Sequence, residues 1–197
     1  MLLSTLSVSG LVPVKSWKTL RDPRVVKQDF DYSCGAASLA TLLNEHYGQN
    51  VTEEQLLKAM DKGDGRASFA DMARALRQFG FKAQGFAASW EQLVKLKMPV
   101  IVYVKYRKDD HFTVLRGISG DTVWLADPSL GNRTFSRQQF LDMWETRVDK
   151  ADPELAGKFL AVLPAGARIK STEDFFTKAP VRQSNPAVEQ LAFRVLP

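Results

Sequence analysis

The chain has 197 residues, 45% of them hydrophobic and 25% charged, with a formal net charge of +5. That length builds one core, and the composition excludes a collagen, a coiled-coil rod, a wholly disordered chain and a run of about 18 apolar residues spanning a bilayer. A single cysteine, Cys34, excludes an internal disulfide and a cysteine-based zinc site, and only two histidines, His46 and His111, are available for catalysis.

In chain order, Met1 to Val14 is mildly apolar but lacks the basic start of a secretory signal. It reads as a signal remnant, a strand or a disordered lead. The first strong helical period starts at Cys34, runs through Leu39, Leu42 and Leu43, and closes at Gly48. Thr52 with Gln55 forms a capping box for a second helix that passes Met60 and stops at Lys62-Gly63-Asp64-Gly65. Ser68 caps a third helix, ended by Gly80, and Ser89 with Gln92 caps a short fourth one before Pro99. The period then changes. Val100-Ile101-Val102-Tyr103-Val104 predicts a central strand buried on both faces. His111–Arg116 and Thr122–Ala126 predict two more strands, Ser136 starts a helix through Phe140 and Trp144, and Phe159–Leu163 predicts a last strand. Helices followed by strands indicate an α+β domain.

The basic excess lies in the flanks. Residues 1–27 carry Lys15, Lys18, Arg21, Arg24 and Lys27 against Asp22, and residues 165–197 are also net positive, whereas residues 28–164 are nearly neutral. Nucleic-acid surfaces concentrate basic residues on the folded body, so no nucleic-acid partner is expected. The expected organisation is a basic lead over 1–27, a domain over 28–164 and an appendage over 165–197, the flanks being solvated. No metal or cofactor is expected: no His-Glu-x-x-His pattern occurs, and Asp61-Lys62-Gly63-Asp64-Gly65 lacks the later ligands of a calcium loop.

Cys34 stands at a helix start, where unpaired N–H groups and the dipole favour a thiolate over a thiol. The bland alternative is a small buried hydrophobe. Gly35, Ala36 and Ala37 keep the neighbourhood small enough for another backbone to approach the sulfur. A nucleophilic thiolate needs a nearby base and a group that orients it. His46 lies about 18 Å further along the same helix, in a position expected to be solvated, which leaves His111. A three-residue loop at Ile118-Ser119-Gly120 with Gly120 left-handed pairs Leu115 with Val123, Thr113 with Leu125 and His111 with Asp127. Opposed residues share a face, and an imidazole beside a carboxylate is thereby oriented. Alternatively, Asp127 merely initiates a turn before Pro128. An oxyanion needs donors, for which the Cys34 backbone N–H and the Gln28 side chain are candidates.

The order Gln28, Cys34, His111, Asp127 resembles the C39 peptidases, papain-like cysteine proteases best known for trimming double-glycine leader peptides. Gln28-Asp29-Phe30-Asp31-Tyr32-Ser33-Cys34-Gly35-Ala36-Ala37 is similar to that family's oxyanion-glutamine and nucleophile block. His111-Phe112-Thr113-Val114-Leu115 and Asp127-Pro128-Ser129-Leu130-Gly131 are similar to its histidine and aspartate blocks, and Phe69–Leu76 with Gly80-Phe81 to its middle helix. Ser33 departs from the aspartate that often precedes the nucleophile. The resemblance covers about 28–164 and implies a papain-like fold, a helical half packed on an antiparallel sheet. It also implies a Cys34–His111–Asp127 triad with Gln28 at the oxyanion hole.

No transporter domain follows, so the resemblance is to a stand-alone form, similar to the periplasmic member that accompanies functional-amyloid export. That form implies a peptide or protein substrate, an exported subunit or its leader, and an export-machinery partner. Two other readings keep the domain and change its chemistry: a catalytically silent peptide-binding domain of an export machine, and an acyltransferase or transglutaminase-like enzyme.

Overall fold

Residues 16–106 and 109–177 are described in the computed structural model of this protein. The apolar segment before Val14 and the final part of the expected appendage lie outside them.

The helical half follows the capping signals. After a short α1 (Trp17–Arg21), α2 spans Cys34–Tyr47 and ends on Gly48, whose φ of 61° is the left-handed closure for which glycine is suited. The three shorter helices α3 (Glu53–Met60), α4 (Phe69–Leu76) and α5 (Trp90–Leu93) start at Thr52, Ser68 and Ser89, each with both hydrogen bonds of a capping box. Every residue from Ser33 to Leu43 is buried, so α2 is a central helix, enclosed around its whole circumference over that stretch.

The other half is a six-stranded antiparallel sheet of β1 (Phe81–Ala88), β2 (Val100–Tyr106), β3 (Asp109–Ser119), β4 (Thr122–Asp127), β5 (Gly131–Ser136) and β6 (Gly157–Pro164). The strand order is β1-β6-β2-β3-β4-β5. On one face Ile101, Val114, Ala126 and Leu160 pack with α2, α3 and α4. On the other, Val102, Val104, Leu115 and Leu125 pack with α5 and α6 (Arg137–Trp144). Hence the uninterrupted apolar run of β2. Neither β1 nor β5 is signalled by the sequence: Phe81–Ala88 holds no Val, Ile or Thr, and its ladder to β6 supplies what local propensity lacks.

Residues 165–177 return to the body. Phe175 is fully buried, Thr172 donates its N–H to the His46 carbonyl at 2.7 Å, and Thr177 donates to the Arg116 carbonyl at 2.8 Å. Arg116 lies between the Trp124 and Phe175 rings and donates to Asn132 Oδ1 at 2.6 Å. The lead is anchored too: Arg24 bonds Glu45 at 2.5 Å and Asp174 at 3.1 Å, joining both flanks to α2. Opposite charges and Phe175 therefore hold flanking residues that were expected to be solvated.

Candidate active site

The site forms where the start of α2 meets the sheet. Cys34 is the first residue of α2 and is only 4% exposed. Glycine at position 35 leaves room for the terminal methyl of Met72, which a Cβ there would displace, so α4 packs closely on the start of α2. Ser38 further pins α2 to β3 by donating to the Phe112 carbonyl at 3.1 Å.

His111 and Asp127 meet, but not through the expected register. The β3–β4 turn has two residues, Gly120 and Asp121, because Ser119 pairs with Thr122. A bulge at Arg116 then shifts the ladder, so that Leu125 pairs with Leu115 rather than with Thr113. The net displacement from the expected register is two residues. An even displacement preserves the face, so His111 and Asp127 become diagonal neighbours on one side of the sheet instead of direct opposites. His111 Nε2 and Asp127 Oδ2 are 2.9 Å apart.

With Nε2 facing Asp127, Nδ1 is the ring nitrogen left for Cys34, which lies close enough to act on the imidazole. Burial works against a charged ring here. Asp127 and the neighbouring Cys34 nevertheless raise the His111 pKa to about 9. Burial likewise opposes ionisation of Asp127, yet the bond to His111 and the Leu130 and Ser129 N–H groups keep its pKa below the ordinary carboxylate range. Those two N–H groups bind Oδ1 at 2.8 and 2.9 Å. Turn initiation and histidine orientation, which were alternative readings of Asp127, are thus performed by its two different oxygens.

Gln28 is tied to this same turn. Its backbone N–H donates to the Pro128 carbonyl at 3.1 Å, its Oε1 accepts from Ser129 Oγ at 2.6 Å, and its Nε2 donates to the Phe30 carbonyl at 2.8 Å. Ser129 was not singled out from the sequence; its position two residues after Asp127, within the turn, is the signal that marks it. Gln28, His111 and Asp127 line a cleft of about 380 Å³ together with the apolar Val104, Leu125 and Phe135. Asp31, Asp109, Asp110 and Arg66 bring charges to the same cleft.

His46 is corrected by the structure. It is buried rather than solvated, its Nδ1 has no hydrogen-bond partner, and burial lowers its pKa. A neutral imidazole packed edge-on against Tyr47 is the result.

The profile of the Peptidase C39 family matches residues 22–148. The chain is 38% identical over 145 residues to the probable functional amyloid protease FapD of Pseudomonas fluorescens, and 35% identical over 144 residues to the protein of that name in Pseudomonas aeruginosa. Each alignment covers 68% of this chain, which spans 64% of the length of either relative. Among solved structures it resembles a double glycine motif protease from an AMS/PCAT transporter in complex with the leader peptide. That likeness has 27% identity and a TM-score of 0.58, and covers 71% of this chain and 90% of the other. The peptidase domain of Streptococcus ComA shares the fold at 24% identity and a TM-score of 0.58, over 71% of this chain and 97% of that domain.

Proposed function

The chain belongs to the peptidase C39 family, and on that premise we propose that it is a cysteine endopeptidase that cuts a secreted protein or a leader peptide. Cys34 is the nucleophile, His111 the general acid and base, Asp127 the carboxylate that orients it, and Gln28 an oxyanion donor. The observation that carries this reading is the 2.9 Å pairing of His111 Nε2 with Asp127 Oδ2, which leaves Nδ1 for the neighbouring Cys34.

In the first step Cys34 Sγ attacks the scissile carbonyl carbon while His111 holds the thiol proton. The carbon–nitrogen bond breaks as that proton passes to the leaving amine. Water then gives a proton to His111, attacks the thioester and releases the acid, and the proton returns to sulfur. The oxyanion of both tetrahedral intermediates is met by the Cys34 backbone N–H and by Gln28 Nε2, which keeps a second proton beyond the one directed at Phe30. Asp127 stabilises the imidazolium without accepting its proton.

The names of the two Pseudomonas relatives support an exported polypeptide, an amyloid subunit or its leader, as the substrate class. The periplasm is then the place of action, with the export machinery as partner. No helix among the described residues is long and apolar enough to cross a membrane.

The test is incubation with a double-glycine leader peptide, read by mass spectrometry. Two products whose masses together exceed the substrate by one water, abolished by Cys34→Ala in a protein that still melts cooperatively, are expected. Full cleavage by Cys34→Ala would overturn the reading. A product joining two peptides would instead indicate acyl transfer, and no turnover by the wild type with a thiol inert to iodoacetamide would indicate a silent binding domain.

A further inference from the structure

Six α-helices begin among the described residues, and five of them are capped by the side chain of the preceding residue: Ser16, Thr52, Ser68, Ser89 and Ser136. The exception is α2. It too is preceded by a serine, Ser33, yet that side chain makes no cap hydrogen bond, and its φ of −94° and ψ of 5° depart from the extended backbone of the other five. The helix whose first turn borders the nucleophile is the one whose N–H groups are not taken by a cap.

The Ser33 hydroxyl is engaged elsewhere. It accepts the Phe30 N–H at 3.1 Å and donates its one proton to the Phe30 carbonyl at 2.8 Å, closing a tight turn over residues 30–33. The carboxylate of Glu53, the first residue of α3, lies beside this turn. Both oxygens of that carboxylate accept the Asp29 N–H, each at 3.2 Å. Glu53 is 6% exposed, and no Lys or Arg among the described residues forms an ion pair with it. Burial pushes its carboxyl pKa up, opposed by the nearby Ser33 hydroxyl and the Asp29 N–H. A buried carboxylate without a cation is costly, and here it is held by the loop that carries Gln28 at one end and Cys34 at the other.

We propose that Glu53 is a positioning residue for the reaction: by accepting the Asp29 N–H from its buried place on α3 it fixes the 28–34 loop, and with it the Gln28 side chain and the Cys34 N–H that meet the oxyanion. This inference rests on the proposed peptidase reading. It adds a residue from outside every motif that points to the chemistry.

The experiment uses the peptide cleavage that Cys34→Ala abolishes. Glu53→Ala releases the Asp29 N–H, and kcat is expected to fall about 10²-fold with KM changed less than about twofold, the scale of a small misplacement of catalytic groups. Glu53→Gln keeps an acceptor for the Asp29 N–H and is expected to stay within about threefold of the wild type. The proposal is overturned if Glu53→Ala leaves kcat unchanged, if the loss appears in KM alone, or if Glu53→Gln loses as much as Glu53→Ala. Where Glu53→Ala does not melt cooperatively, Glu53→Gln decides: wild-type kcat supports the proposal, and a loss of more than about tenfold in a folded protein overturns it. Loss of the peptidase reading looks different, since Cys34→Ala would then still cleave.

Discussion

Asp127 divides its carboxylate between His111 and the turn behind it. Oδ2 faces His111 Nε2 at 2.9 Å, while Oδ1 accepts the N–H groups of Ser129 and Leu130. The imidazole is therefore oriented by a group that is itself fixed by the backbone, which defines which ring nitrogen turns towards Cys34.

Asp127→Asn keeps the size of this side chain and removes its charge. The His111 pKa is expected to drop from about 9 towards its ordinary value, moving the basic limb of the kcat/KM profile to lower pH. A loss of about 10²–10⁴-fold in kcat accompanies it, as for a triad whose imidazole has lost its orienting charge. A basic limb unmoved in the variant would show that Asp127 does not set the titration.

Gln28→Ala is expected to lower kcat by about 10²–10³-fold, the cost of an oxyanion donor, with cooperative melting preserved. Ser129→Ala removes only the hydroxyl that holds Gln28 Oε1, so a smaller loss, about tenfold or less, is expected for a donor that is loosened but present. Single-turnover rates for the two variants check this ranking. Equal losses would mean that Gln28 acts through the turn and not on the oxyanion.

The two histidines predict opposite pH dependences of stability. His111 has a raised folded pKa, so its contribution is complete below about pH 6.5 and is lost as pH rises through about 9, amounting to at most about 3 kcal/mol. His46 has a lowered pKa, so its neutral form favours the fold above about pH 6.5 and stability declines as pH falls below that value. Urea midpoints between pH 5 and 10 check both signs. His46→Phe is expected to flatten the acid side only, and an acid side left unaltered would contradict the assignment.

Gly117 faces the backbone of Thr177, where a side chain would collide with the Thr177 carbonyl. Gly117→Ala is expected to lift the 172–177 segment off Arg116 and to cost about 1–3 kcal/mol, the range for overpacking a filled site. Hydrogen exchange should then accelerate at Thr172 and Thr177, whose N–H groups are otherwise held by the His46 and Arg116 carbonyls. Unchanged exchange at both positions would place the collision elsewhere.

Much of the helical half was legible because its signals are local. A Thr52–Gln55 or Ser89–Gln92 box closes within four residues, and the α2 stripe ends on a glycine, the residue best suited to the left-handed turn it makes. The β2 run and the Cys34–His111–Asp127 set were legible for a different reason: scarcity of apolar interruptions in one case, scarcity of histidine in the other. The strand β1 was not legible, since Phe81–Ala88 becomes a strand only by pairing with β6, some 75 residues away on average in the chain.

Residue types and their order along the chain determined the capped helices, the doubly buried strand and the identity of the thiol, imidazole and carboxylate. Only the tertiary structure decided that a two-residue turn and a bulge would place His111 diagonally from Asp127, that His46 would be neutral, and that Glu53 would lie beneath the nucleophile loop. The difference is physical. Caps and periodicity are contests between neighbouring groups, whereas register, burial and the partner of a buried charge depend on surfaces that exist only after distant segments have packed.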